Sequence, residues 1–515
     1  MRKRENSSRE GSGGTKNDEI AEDLGAEDFG VVEFLTERLP ARRKIRLTNK
    51  HKAIQENRTI QKNRGQATVP GLVLSLACLL ILFMTPASMF RESSASSPAL
   101  SLTSGDASFA SPNRLNSSSD EEPARLDFNG SSIHGEVFPK LEVRALWVLR
   151  NTLVSRDEID RMLRRAKEAG FNLLFVQVRG RGDAYYKSSI EPRAELLSKN
   201  VFDPLAYLIA EAHRNRFSVH VWLNTLLVWS APQSPANVRH VVLSHPNWVA
   251  VRSDGKSLAE LSRKEIEAMG IEGVFLAPGN PAVREHIRAV VRELVANYDV
   301  DGIHLDYIRY PNMTVGYDEG TRTEFMRRYG VDPDQIANDR EAMIELFGKI
   351  GLQDLGLLWE KWRVSSVDAL VDSVRSDLRT LNPKVRLSAA VIADSRSAIG
   401  RHGQDWPAWL RRGVLDFVVP MCYSASTQFV RNQVLAIRNL ADEKRFYPGI
   451  AMYNQSPGRV VEKVRALRKM GVSGFSMFCY DPERPRSAVL RELSRTVFEE
   501  PAMPRPEATE WSYDK

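Results

Sequence analysis

Between residues 142 and 481 one pattern recurs eight times: a short β-branched or apolar run followed by a stretch with helical spacing of apolar residues. The runs are EVRALWVL (142–149), NLLFVQV (172–178), SVHVWLN (218–224), DGIHLDY (301–307), VRLSAAVI (385–392), DFVVPMCY (416–423), FYPGIAMY (446–453) and GFSMFCYD (474–481). Strands that alternate with helices must run parallel, because each crossover returns the chain to the same edge. Eight such units over residues 141–498 predict an α/β fold, a (β/α)8 TIM-like barrel, in preference to a doubly wound sheet, which has fewer strands and a nucleotide loop.

Helix starts support this division. Ser155 followed by Glu158 has the form of a capping box, and Asp203-Pro204, Asn280-Pro281 and Ser456-Pro457 each set a capping side chain before a proline at the first helical position. Insertions after the third and fourth strands, 228–275 and 312–357, fall on the face where barrels keep their active sites. Residues 499–515 form a C-terminal tail.

Upstream the texture differs. Val69–Phe90 contains no charged residue, and residues 42–64 hold nine Lys/Arg against a single acid, Glu56. The expectation is one transmembrane signal anchor at 69–90, with a disordered cytoplasmic tail (1–68) and an extracytoplasmic remainder held off the membrane by the Ser-rich linker 91–140. A cleaved leader fits less well after 68 residues, and Cys78 lies inside the apolar run, where a lipidated cysteine does not belong.

The formal charge of +7 does not mark a nucleic-acid binder, because residues 1–68 carry 15 Lys+Arg against 11 Asp+Glu and so account for +4 of it. No basic stripe interleaved with aromatics follows. Three cysteines cannot make a disulfide framework, and nine histidines lack any His-x-x-x-His pair, so neither metal nor other cofactor is expected.

Polar residues at strand ends carry the chemistry. In the fourth strand, two-residue alternation puts Ile303 and Leu305 on one face and His304 and Asp306 on the other, so Asp306 reaches the barrel mouth with His304 below it. Tyr307, Arg309 and Tyr310 follow in the same loop. After the second strand, Arg179, Asp183 and Tyr185 offer hydroxyl acceptors and a ring face, without the glycine spacing of a phosphate loop. Trp222 and Asn224 share a face of the third strand; Asp394 ends the fifth; Asp405 opens a helix, where it can also be a cap; Tyr423 and Tyr480 end the sixth and eighth. Aspartates and aromatics without a Gly-x-Ser-x-Gly elbow suggest glycoside chemistry between two carboxylates.

Taken in order, EVRALWV, QVRGRGDAYY, VHVWLN, HPNWV, LAPGNPAVREHI, DGIHLDYIRYP and QDWPAWL with DFVVPMCY resemble the glycosyl-hydrolase-like family ten. The resemblance implies a TIM-like barrel, export to the envelope and glycosidase activity, with the glycan strands of peptidoglycan as substrate. It supports Arg179, Asp183, Trp222, Asn224, Asp306, Tyr310 and Asp405 as site residues. Many members have a second Asp directly after the strand's Asp; this chain has Tyr307 there. Asp306, at its strand end, is the expected first catalytic carboxylate; for the acid, position at the adjacent fifth-strand end and not a family motif points to Asp394, with Asp183 second. Arg179, Tyr185, Trp222, Asn224, His304, Tyr307, Arg309, Tyr310, Asp405, Tyr423 and Tyr480 are expected to bind sugar. A catalytically silent glycan-binding protein of the envelope is the competing reading.

Overall fold

The computed structural model describes residues 140–199 and 201–503. The expected anchor at 69–90, the tail and most of the linker lie outside the described residues. No helix among the described residues is long and apolar enough to cross a membrane.

All eight expected strands form: β1 (Val143–Val148), β2 (Leu173–Arg179), β3 (Ser218–Asn224), β4 (Gly302–Asp306), β5 (Arg386–Val391), β6 (Phe417–Pro420), β7 (Gly449–Ala451) and β8 (Gly474–Tyr480). They pair in parallel in the order β7-β8-β1-β2-β3-β4-β5-β6. Two parallel bridges, Val418 with Phe446 and Met421 with Gly449, join β6 to the segment of β7 and bring the ladder to near closure. The result is a (β/α)8 barrel.

Outside the strands pack α1 (Arg156–Glu168), α2 (Pro204–Arg214), α3 (Pro281–Asn297), α4 (Arg340–Leu381), α5 (Trp406–Arg411), α6 (Thr427–Arg438), α7 (Pro457–Arg468) and α8 (Ser487–Thr496). Caps explain most of their starts. Ser155 accepts from the Glu158 amide, Asp203 from that of Ala206 and Asn280 from that of Ala282. At α7, by contrast, Ser456 makes no side-chain cap, so the proline alone starts that helix. α4 is interrupted at Gly348, whose φ of 76° no helix interior adopts.

Alternation divides the strand residues between two cores. Outward side chains such as Val176, Val221, Ile303, Leu305, Leu387 and Val418 join the helices in one continuous cluster. Inward ones, among them Trp147, Phe175, Trp222, Phe417 and Tyr447, fill the barrel. Two histidines lie in this filling. His220 sits over Gly302, where a Cβ would come within 2.5 Å of its ring, so β4 tolerates only glycine opposite it.

The floor of the barrel is tied by a buried charge cluster. Arg144 and Arg468 both bond the Glu142 carboxylate, at 2.8 Å through their Nε atoms, and Arg144 also donates to the carbonyls of Phe498 and Glu500. Burial works against the Glu142 charge, yet the two guanidinia outweigh it and hold the carboxyl below its ordinary value. Glu142→Ala leaves both guanidinia without the carboxylate they share, and we expect a loss of about 3–5 kcal/mol in urea unfolding. A loss below about 1 kcal/mol would mean that solvent or the neighbouring carbonyls already satisfy the arginines.

Candidate active site

Asp306 ends β4 at the C-terminal mouth of the barrel, in register with Asn224 of β3. Only 7% of its surface is exposed. The Trp222 indole donates to Oδ2 at 3.1 Å, and the amide of Tyr307 donates to Oδ1 at 2.8 Å. Beyond that amide the chain turns at Tyr307, whose φ of 52° is a left-handed conformation costing about 1–2 kcal/mol for a residue with a Cβ. Burial pushes the Asp306 carboxyl up to about 6; the Tyr307 amide, the Arg309 charge and the Trp222 N–H pull it back, and Glu272 adds a further push. A carboxyl there can be neutral or charged near neutrality, as proton transfer requires.

Around it stands an aromatic wall. The Phe478 ring lies 5.1 Å from that of Tyr423, 5.7 Å from Trp147 and 6.3 Å from Trp222, with half-exposed Tyr453 at 6.2 Å. Tyr423 is partly exposed, and burial together with the Asp306 charge keeps its phenol protonated. Beneath, Gln177 donates to Asn224 at 3.2 Å, and Asn224 donates to the Gly180 carbonyl at 2.8 Å.

Insertion 228–275 supplies the rim. Its ends pair as an antiparallel ladder, Leu227–Trp229 with Val274–Phe275. Glu272 precedes this ladder and accepts from Arg309 at 2.6 Å, while the Arg309 guanidinium lies 5.2 Å from the Tyr307 ring. The Glu272 side chain is 43% exposed, so a carboxylate faces solvent within the electrostatic reach of Asp306.

Trp222, Asn224, Asp306 and Tyr423 are therefore brought together, with Tyr307 and Arg309 at the rim. Asp183 and Tyr185 occupy a cleft of about 520 Å³ beside the mouth, lined also by Arg150, Arg181, Trp229 and His240.

Other expectations need correction. Tyr480 would face inward by strict alternation, but the β8–β1 register shifts between Met477 and Tyr480, and its hydroxyl meets Arg165 of α1 instead. Tyr310 is fully buried against Ser366 of α4 at 3.2 Å. His304 is sealed within the barrel against Phe175 and Trp147, its Nδ1 on Ser388, and burial lowers its pKa to about 3; it is a neutral core residue. Arg179, also fully buried, pairs with Glu191 at 2.7 Å and donates to the carbonyls of Asn224 and Thr225, holding the β3 end without reaching the mouth. Asp394 and Asp405 cap helices, accepting from Ser397 and Ala408, and Asp394 is exposed.

Sequence reasoning missed Gln177, Phe478, Trp147 and Glu272. The first three share the inward parity of their strands and were legible on that ground. Glu272 arrives on an insertion without periodicity.

The sequence profile of the family described as Glycosyl hydrolase-like 10 matches residues 142–462, from the first barrel strand into α7. The chain belongs to that family. This glycosyl hydrolase-like 10 chain is 24% identical over 316 residues to the glycosyl hydrolase YngK of Bacillus subtilis, covering 55% of this chain and 54% of that protein. It is 26% identical over 333 residues to the glycosyl hydrolase DigH of Escherichia coli K12, covering 58% and 65%. The matched region thus spans about half to two-thirds of these relatives' length. Among solved structures, the glycoside hydrolase domain of PgaB (BpsB) from Bordetella bronchiseptica shares the fold, with a TM-score of 0.52 at 16% identity over 68% of this chain and 98% of that domain.

A carboxyl raised in the fold costs stability when ionised. For Asp306 the cost is fully present above its folded value of about 6 and vanishes below its unfolded value of about 3.9. Asp306→Asn should therefore stabilise the protein at pH 7.5 by up to about 3 kcal/mol and leave it nearly unchanged at pH 4. Denaturant melts of both proteins at the two pH values test this, and an equal difference at both would contradict a raised carboxyl.

Proposed function

We propose that this protein is a glycoside hydrolase of an envelope polysaccharide, the glycan strands of peptidoglycan, and that Asp306 is its proton donor. Membership in the glycosyl hydrolase-like 10 family supports the reaction class. The observation that carries the residue assignment is Asp306 itself: a strand-end carboxyl, buried against an indole, with a pKa raised to about 6. Protonated Asp306 gives its proton to the glycosidic oxygen as the C1–O bond breaks, and the bonding electrons leave with the departing sugar. Glu272 takes the role of the second carboxylate, the expected Asp394 being an exposed cap: either it takes the proton of a water whose oxygen forms the new bond to C1, or its own oxygen forms that bond and water then displaces it, leaving the hydroxyl on C1. Phe478, Tyr423 and Tyr453 offer ring faces to sugar residues. The charge-free run at 69–90, if it anchors the chain, sets the barrel outside the cytoplasmic membrane, where the polymer lies.

Tyr307 in place of a second Asp favours another reading, in which the same mouth holds glycan without cleaving it. Incubation with peptidoglycan strands stripped of peptide, followed by mass spectrometry, separates the two. The parent is expected to release fragments, fastest below about pH 6, where Asp306 is protonated, while Asp306→Asn loses at least 100-fold in rate. Retained binding with no fragments from the parent at any pH would establish the silent reading.

A further inference from the structure

The cleft beside the mouth has a charge pattern that a neutral sugar does not require. Arg150 follows β1 and lies across Gly180, where a Cβ would come within 2.4 Å of its side chain. Its guanidinium donates to the Gln177 amide oxygen at 3.0 Å. Arg181 donates to the Ser230 hydroxyl at 3.1 Å and stands 5.9 Å from the Trp229 ring. Both guanidinia are thus spent on neutral partners, and among the described residues neither has an ion-paired carboxylate. Burial and the Arg150 charge depress Arg181 by more than the Asp183 charge raises it, so the two cations sense each other across the cleft.

The acids present do not cancel them. Asp183 gives one carboxylate oxygen to the Arg181 backbone amide at 2.8 Å, and Glu195 lies exposed at the edge. Two half-buried, like-charged forks facing a cavity of about 520 Å³ are costly until an anion enters, and planar guanidinia match a carboxylate in two-point fashion. The cleft is coupled to the catalytic mouth by the hydrogen bonds from Arg150 to Gln177 and from Gln177 to Asn224, which pairs in register with Asp306. Trp229 adds a half-buried ring to one wall.

We infer that this cleft is a subsite for a carboxylate-bearing sugar residue of the glycan, read by Arg150 and Arg181. It rests on the glycoside hydrolase reading for its polymer but concerns binding alone. The test uses the full chain carrying Asp306→Asn, so that no ligand is consumed, and isothermal titration with three oligosaccharides of equal length. One alternates N-acetylglucosamine with N-acetylmuramic acid, the second is the same molecule with its carboxyls amidated, and the third carries a phosphate in place of each carboxylate. The carboxylate form should bind at least tenfold tighter than the amidated one. Arg181→Gln, and Arg150→Gln with it, should reduce that preference to about twofold. Their affinity for the amidated sugar should fall by no more than about twofold, and unchanged circular dichroism and urea midpoints certify that both variants are folded.

Equal affinity for the first two sugars, or a preference that survives both substitutions, overturns the inference. So does tighter binding of the phosphate form, or no binding of any of the three. Failure of the hydrolase reading shows separately, as absent fragments from the unsubstituted protein, and leaves this preference intact.

Discussion

Ile303 and Leu305 fix the site. Both are fully buried between β4 and the surrounding helices, each contributing roughly 1.5–3 kcal/mol of apolar burial. Because side chains alternate along a strand, their placement forces His304 and Asp306 to the inside, and a one-residue slip would send the carboxyl into the helix layer. The parallel ladder then sets Asp306 level with Asn224 and within reach of Trp222. Packing energy thus holds an acid in a place it would not choose by solvation.

What surrounds Asp306 keeps it there without neutralising it. It receives two hydrogen bonds, one from an indole and one from the strained Tyr307 backbone, but among the described residues no ion-paired cation; Arg309 spends its charge on Glu272. A direct guanidinium partner would have drawn the carboxyl down and removed its capacity to hold a proton near neutrality. A buried acid and an exposed one thus stand in different environments at the same mouth, and the proposed division of tasks between two carboxyls rests on that difference.

The strands, the caps at Asp203 and Asn280 and the inward course of Trp222 and Asp306 were legible in the sequence because each depends on local periodicity or on one side chain and its near amides. Tyr480 was misread because the register shift near the end of β8 reverses parity, and nothing local in GFSMFCYD signals it. Arg179 looked like a ligand because a strand-end arginine does not announce that Glu191 and His286 lie beside one another under the same loop. Glu272 and the Arg150–Arg181 pair depend on how an aperiodic insertion and three separate loops fold over the mouth, which pattern alone does not encode.

All of this turns on the proton of one carboxyl. Difference infrared spectroscopy, titrating the protein against Asp306→Asn, follows that group alone through its protonated carbonyl band. A single carboxyl losing its proton near pH 6 is the expected result. A difference band already lost below pH 4 would show Asp306 ionised throughout the working range, and the proton donor would have to be sought elsewhere in the mouth.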